Sequence, residues 1–394
     1  MNKQVYITGM GIVSPLGVGK RAFWDSLIKA KSAVSRFQPA GLKGVPCCTA
    51  ARILKILPDP QLPRSAQLGI RAAELAISDA CIKPGSKIAQ QSGVYVGETL
   101  LAFDLWEALL QGDKNKNNNN LLKTTTAYIR DKFFFNGECL TVGSGCIGGL
   151  AAIGRAMRDV FLKSSSVIMA GGTDSLLSPY AYGVLSKAKL LSTCQDPEKA
   201  GRPFDIERDM EVIAEGSAFL VLEDEISAKR RGAHLLASVA GFAMAGDGFH
   251  FKHNKPDGKA LSLAGTEAIK RAGLTPQQID LVVAHASGFK TSDSIEIKAL
   301  AAIFKQEPLP VVISIKGATG QAFSAGGATQ VAVATMAIQH GLIPPTAHYK
   351  ESDPHDLFDH ALKAKKRDLG AVLITSYGYG GGKAALVIKK PRLK

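Results

Sequence analysis

Short apolar runs bounded by glycine and other small residues alternate with helix-period segments along the whole chain. The runs at 5–8, 93–97, 139–142, 167–170, 218–222, 281–284, 311–315, 371–375 and 385–388 are each four or five residues long. Between them, apolar residues recur at three- and four-residue spacing. The strongest case is 65–82, with Leu68, Ala72, Leu75, Ala76 and Ala80 on one face; others lie near 20–30, from 146 onward, and at 225–231, 261–272, 294–304 and 325–340. Short, wholly apolar strands separated by helices belong in parallel sheets buried on both faces. The expected fold class is α/β, with elements of similar size in the two halves and no visible sequence repeat, as in a duplicated core.

Several classes are excluded early. No run of 18 apolar residues exists to span a membrane as a helix, and the start, Met1 to Gly9, reads as a strand entering a turn at Gly9-Met10-Gly11 rather than a signal peptide. The cytoplasm is the expected compartment. Six cysteines (47, 48, 81, 139, 146 and 194) form no CxxC pair and read as reduced thiols, each to be considered singly. Lys and Arg exceed Asp and Glu by 48 to 34, a net charge of +14. Such a surface suits nucleic acid, anionic lipid or an acidic protein, or simply a soluble basic protein. The basic residues are scattered and not interleaved with aromatics, so nucleic acid is not the expected partner. The segment 114–120 is a polar, low-complexity loop.

Three motifs point nowhere. Gly9-Met10-Gly11 lacks the third glycine and the distal acid of a dinucleotide fingerprint. No phosphate loop and no GxSxG elbow occurs. His250-x-x-His253 has no further ligands at metal spacing, so no metal is expected.

Four strand ends do carry chemistry. Cys146 follows the strand 139–142 and the turn Gly143-Ser144-Gly145, and is expected to open a helix. A helix N-terminus would stabilise its thiolate; the alternative is a buried cysteine acting as a small hydrophobe. His285 ends the strand 281–284, Lys316 follows 311–315, and Ser376-Tyr377-Gly378-Tyr379-Gly380-Gly381-Gly382 forms a glycine-rich turn with aromatic gates. In parallel sheets the carboxyl ends of strands form the ligand crevice. A thiol, an imidazole and an ammonium are thereby delivered to one edge.

With these segments in hand, the chain resembles a β-ketoacyl-acyl carrier protein synthase of the elongating kind, within the thiolase-like superfamily. The matching stretches are 5–16, Gly145-Cys146-Ile147-Gly148-Gly149, Arg202-Pro203-Phe204-Asp205 with Glu215-Gly216, Ala284-His285 with Asp293 and Glu296, Lys316 with Thr319-Gly320, and the terminal gate loop. The resemblance is weakest across 38–63 and 100–135. It implies a five-layered αβαβα fold of two pseudo-repeated halves, 1–235 with the nucleophile and 236–394 with the His/Lys/Gln site and gate loop. It also implies a dimer, homomeric or with a second ketosynthase, and acyl groups carried on the phosphopantetheine of an acidic acyl carrier protein, with no separate cofactor.

The resemblance further assigns Cys146 as nucleophile, and His285, Lys316 and Gln321 as its catalytic companions. Ser287, Phe289, Tyr377, Tyr379 and Gly380 become substrate, pantetheine and gate residues, with Asp293 and Glu296 as structural acids. The backbone N–H groups of Cys146 and Tyr379 are the expected oxyanion hole for acyl transfer. The departures are specific. Gln321 stands where the family has a second histidine, Phe289 where it has a hydroxyl residue, and Lys383 where it has asparagine. Two readings compete: an active condensing enzyme of fatty-acid or type II polyketide or polyene synthesis, and a non-condensing chain-length-factor partner. A cysteine protease is the out-of-family alternative, since Cys146 precedes His285 by 139 residues, but the papain pattern around the cysteine is absent.

Overall fold

A computed structural model describes residues 4–112, 123–354 and 356–391. The low-complexity segment 114–120 lies outside them. The frame is ten strands: β1 (Val5–Ser14), β2 (Gly93–Gly97), β3 (Cys139–Val142), β4 (Val167–Ser175), β5 (Glu215–Asp224), β6 (Ala237–Gly246), β7 (Leu281–Val283), β8 (Val311–Ile313), β9 (Ala371–Tyr377) and β10 (Gly382–Lys389). A two-residue strand at Gly17–Val18 adds to the edge of β1.

The strand order is β8-β7-β9-β10-β6-β1-β5-β4-β2-β3. Read outward from its middle, it contains the same five-strand arrangement twice. In the first half β2 pairs in parallel with β3 and β4, while β5 runs antiparallel to β4 and β1. In the second half β7 pairs in parallel with β8 and β9, while β10 runs antiparallel to β9 and β6. Three antiparallel pairs, Val5–Ile7 against Ala237–Val239, join the halves. The duplication that the sequence does not display is therefore present in topology.

Helices α1 (Arg64–Asp79), α2 (Gly148–Phe161), α3 (Lys259–Arg271), α4 (Lys290–Ile303) and α5 (Ser324–His340) complete the layers. Helix α1 covers β1, β5 and β4 on the outside, and α3 covers β6 and β10. Between the two sets of strands, α2 and α5 pack on each other. Helix α5 is buried from Ser324 to Ile338 with hardly any polar face, as a helix must be when sheets lie on both sides. This is the five-layered α/β fold that the resemblance implies.

Gly9 and Gly11 do not make the expected turn; both lie inside β1, which continues to Ser14. Their role is close approach. A Cβ on Gly9 would lie 2.5 Å from the Ala76 carbonyl oxygen and one on Gly11 2.0 Å from that of Ala72, so the two glycines let α1 rest directly on the strand. No helix among the described residues is long and apolar enough to cross a membrane.

Candidate active site

Strand β7 ends at Val283, and the chain then passes through four buried residues, His285-Ala286-Ser287-Gly288, on its way to α4. Such a turn exposes four amide donors with no strand partner, and each must be satisfied. Two carboxylates on the first turns of α4 do this. Glu296 accepts from the backbone N–H of His285 (3.0 Å) and Ala286 (2.7 Å), and Asp293 accepts from Ser287 (3.0 Å) and Gly288 (3.1 Å). Thr375 Oγ1 adds a 2.6 Å bond to Glu296, and the Phe204 N–H a 3.1 Å bond to Asp293. Burial raises both carboxyls, Glu296 to about 7.

The loop so fixed aims the His285 ring inward. Its Nε2 lies 3.2 Å from the Gln321 side-chain nitrogen, its Nδ1 3.3 Å from Ser376 Oγ, and Tyr377 packs 4.0 Å from its centroid. An amide nitrogen only donates, so Nε2 accepts and Nδ1 carries the proton toward Ser376. Burial, with Lys316 and Lys383 nearby, holds the imidazole well below its ordinary pKa, and the ring is neutral.

Cys146 enters from β3. It lies in a 3-10 turn, Gly145–Ile147, with Gly145 at φ +56°, and the α-helix begins only at Gly148. The turn is pinned from the other half of the chain. Ser324 Oγ donates to the Gly145 carbonyl at 2.8 Å, and the Ser324 N–H donates to Asp174 at 2.7 Å. Gly378 of the gate closes over it, with space for a Cβ only 3.4 Å from the Cys146 nitrogen.

The expected low-pKa thiolate is not found. Burial pushes the Cys146 thiol up to about 12, the carboxyls of Glu211 and Asp174 add to the rise, and Lys316 and the residue's own amide oppose it. The sulfur sits ahead of α2 rather than on its first turn, and the helix terminus does not outweigh desolvation.

Lys316 opens the short turn Lys316–Thr319 after β8 and is buried. Burial lowers its pKa to about 8. Its Nζ has no hydrogen-bond partner among the described residues, and neither does Gln321 Oε1, while the Tyr379 hydroxyl is turned toward the Glu211 carboxyl. Gln321 is held through its backbone, donating to Val212 O at 2.7 Å and accepting from Ala214 N at 2.9 Å. The structure thus gathers His285, Lys316, Gln321, Tyr377 and Tyr379 with Cys146. Ser287 is close by, but its hydroxyl donates to Glu211 at 2.6 Å. Half-buried Phe289 caps the start of α4, and Gly380 stands exposed at the rim with φ +84°.

Sequence reasoning missed Glu211, Asp174 and Ser324, and read Ser376 only as the start of the gate turn. Glu211 lies four residues before Glu215-Gly216, but nothing in its own neighbourhood says that its carboxyl reaches a loop 76 positions away.

The gate has a latch. Lys383 is buried and donates to Asp247 and Asn254, each at 2.9 Å, while the Gly380 N–H donates to the Phe251 carbonyl at 2.8 Å. The glycine-rich turn is thereby tied to the segment after β6. Lys383→Met should strip the Asp247 carboxylate of its cation, leaving it only the N–H groups of Phe249 and Lys255, and cost about 3 kcal/mol of stability. Urea unfolding would measure this, and Lys383→Met with Asp247→Asn should recover most of the loss.

A buried thiol under a glycine gate, beside a neutral imidazole and an ammonium, can take an acyl group and shield it from water. Comparisons with known proteins agree. Residues 2–228 match the family model described as beta-ketoacyl synthase, N-terminal domain, and residues 236–350 match that of the C-terminal domain. The tetracenomycin polyketide synthase ketoacyl synthase alpha subunit of Streptomyces glaucescens is 31% identical, over 99% of this chain and 98% of that protein. A mitochondrial 3-oxoacyl-[acyl-carrier-protein] synthase of Arabidopsis thaliana is 30% identical, over 98% and 93%. Among solved structures, a type II polyketide synthase acyl-carrier protein in complex with its ketosynthase bound to the hexaketide superposes with a TM-score of 0.91 at 25% identity, covering 99% of this chain and all of that one.

Proposed function

The chain belongs to the β-ketoacyl synthase family, and from that premise we propose that it is a condensing enzyme of fatty-acid or type II polyketide synthesis. Its substrates arrive on the phosphopantetheine of an acyl carrier protein, with no separate cofactor. Cys146 takes an acyl chain from the carrier thioester; the C–S bond to the carrier breaks, and the proton lost by Cys146 passes to the departing thiol. The oxyanion formed on the way is held by the backbone N–H groups of Cys146 and Tyr379. A malonyl thioester then loses CO2, and its enolate attacks the acyl-Cys146 carbonyl; the new C–C bond forms, the C–S bond to Cys146 breaks, and the lengthened chain leaves on the carrier. The Gln321 amide donates to the enolate oxygen beside His285, while Lys316 sets the charge of the site. Ser287, Phe289, Tyr377 and Gly380 line the approach of the arm.

The observation that carries this reading is that Lys316 acts both on Cys146, beneath Gly378, and on His285, which pairs with Gln321. The test is decarboxylation of malonyl-carrier protein by wild type and by variants at 285 and 321.

A second reading, a non-condensing chain-length-factor subunit, is favoured by one observation: Gln321 spends an amide N–H on His285 rather than leaving it open. It predicts no decarboxylation by the chain alone. Either reading suits a dimer, because β3 ends the sheet with its outer edge unpaired among the described residues, and an open edge accepts a second subunit. We place the division between the halves at 235/236. A cytoplasmic setting suits the six unpaired thiols.

The net charge of +14 supports an acidic carrier as partner. Ion pairs at an exposed rim are screened by salt, with a Debye length of about 8 Å near physiological ionic strength. The Kd for acyl carrier protein, measured by fluorescence anisotropy, should rise at least about tenfold between about 50 and about 500 mM NaCl. Salt-independent binding would assign the charge to solubility instead.

A further inference from the structure

Glu211 is a buried carboxyl at the thiol that the condensing chemistry leaves unused. It is 5% exposed and rigidly placed: its N–H donates to Leu190 O at 3.3 Å, its carbonyl accepts from Ser192 N at 2.8 Å, and Ser287 Oγ donates to its side chain at 2.6 Å. The next residue, Val212, holds the backbone of Gln321. The carboxyl acts on Cys146 and on Lys316. The Lys316 ammonium hydrogen-bonds nothing among the described residues, so carboxyl and ammonium face each other across a gap rather than as a contact pair. The Tyr379 hydroxyl borders the same space and is turned toward the Glu211 carboxyl.

We infer that Glu211 makes the thiol site charge-selective: ionised, it admits neutral acyl thioesters to Cys146 and turns away anionic ones such as malonyl, and an anionic acyl group enters together with one proton from solvent, taken up by Glu211. The inference rests on the condensing reading only in naming malonyl as the anion; the charge selection belongs to the site itself.

The physics is that of like charges in poorly solvated surroundings. A buried carboxylate whose charge is felt at the thiol, on a segment whose Ile213 packs in the same cluster as Cys146, should slow the approach of a second anion by on the order of tenfold or more. Protonation lifts the barrier, and burial already holds Glu211 above the usual carboxylate range, with Asp293 adding to the rise and Ser287, Lys316 and Tyr379 opposing it. The other charged or titratable groups facing this space are Cys146 itself, Asp174 on β4, Lys316, Tyr377 and Tyr379 on the gate, and His285, Asp293 and Glu296 beyond Lys316. Lys316 loses its proton near 8 and would also disfavour anions above that point.

The test compares two alkylating reagents that share a leaving group. In both, the Cys146 sulfur attacks the methylene carbon and iodide departs; iodoacetamide is neutral and iodoacetate is an anion. The ratio of their rates at one thiol cancels the thiolate fraction, so its pH dependence reports only the charge around the sulfur. Rates on the Cys146 peptide would be followed by mass spectrometry from about pH 5 to about pH 9. In wild type the iodoacetate-to-iodoacetamide ratio should fall by about tenfold or more as pH rises. In Glu211→Gln, which keeps an acceptor for Ser287, the ratio should stay high, with only the Lys316 limb remaining, and Glu211→Asp should restore the fall. Equal ratios in wild type and Glu211→Gln would overturn the inference. So would failure of both reagents to reach Cys146, because a closed thiol has nothing to select.

A second arm separates this inference from the functional reading. Malonyl-carrier decarboxylation by Glu211→Gln should show a lower KM near pH 8. If wild type does not decarboxylate while the alkylation ratios behave as stated, the condensing reading fails and the charge selection stands.

Discussion

Gln321→His is expected to raise malonyl-carrier decarboxylation by about ten- to a hundredfold, and His285→Ala to remove what rate the wild type has. The enolate oxygen must be met by donors already in place, and losing one such donor costs on the order of 10²–10³ in rate in other enzymes. The site offers an amide donor at Gln321 and a neutral imidazole at His285, whose Nε2 is turned to accept from that amide. An amide donates weakly and cannot exchange a proton at neutral pH, so a histidine at 321 should improve on it by less than a whole donor is worth. His285→Ala removes the ring against which Gln321 is oriented and should cost on the order of 10² or more. Release of labelled CO2 from malonyl-carrier protein reads all three proteins. If Gln321→His changes nothing and wild type is inactive, the chain is the non-condensing partner. A wild type as fast as a synthase with two histidines would show Gln321 to be an adequate donor and defeat both arguments.

Glu98→Gln should stabilise the protein, increasingly so as pH rises. Glu98 follows β2, the topological counterpart of the strand that leads to His285. It is buried, accepts from Ser65 Oγ at 2.6 Å on one oxygen, and beyond the nearby Thr125 side chain has no partner on the other among the described residues. Burial pushes its carboxyl up to about 8, from an ordinary 4.5. The folded state therefore binds the extra proton, and the contribution is favourable below 4.5 and is lost as pH rises toward 8. The loss reaches about 5 kcal/mol once the group ionises in place. Glutamine keeps an acceptor for Ser65 and never ionises. Urea unfolding should show little difference between variant and wild type near pH 4.5 and a gap of a few kcal/mol near pH 8.5. Glu296 and Asp174 share the same sign, with values near 7 and 6, so wild-type stability should itself decline over this range. Only the difference between the two proteins isolates Glu98. A gap that does not change with pH would show that Glu98 stays protonated, or is hydrated, throughout.

What the sequence makes legible is the set of strand ends. Cys146, His285, Lys316 and Tyr377–Gly382 come directly after short apolar runs, and parallel strands carry the residues at their carboxyl ends to one edge. The fold class and the layered architecture come from the same alternation and from the resemblance. The hidden part acts between segments far apart in the chain. Ser324 and Asp174 clamp the Cys146 turn from another half and another strand, and serine and aspartate at such positions resemble any cap. Ser287 reads in the sequence as a hydroxyl for the pantetheine arm, but its position next to Glu211 is set by how two loops meet. The thiol expectation fails because helix-terminus chemistry can be inferred locally, while desolvation depends on what covers the sulfur. The turn expected at Gly9 and Gly11 fails for a related reason: glycine marks both a turn and a close approach, and only the packing of α1 decides which.

The binding of four successive amides, His285 through Gly288, to two carboxylates on the helix after them has an evolutionary consequence. Each donor is matched to an acceptor by its count along the chain, so the segment from 285 to 296 is constrained in length far more than in side-chain identity. The four amides stay bound whatever side chains stand at 286, 287 and 289. One inserted residue would carry every later donor past its acceptor and turn the helix carrying Asp293 and Glu296 by about 100°. Divergence in this loop should therefore proceed by substitution and not by insertion or deletion, even where the chemistry at 289 and 321 has changed.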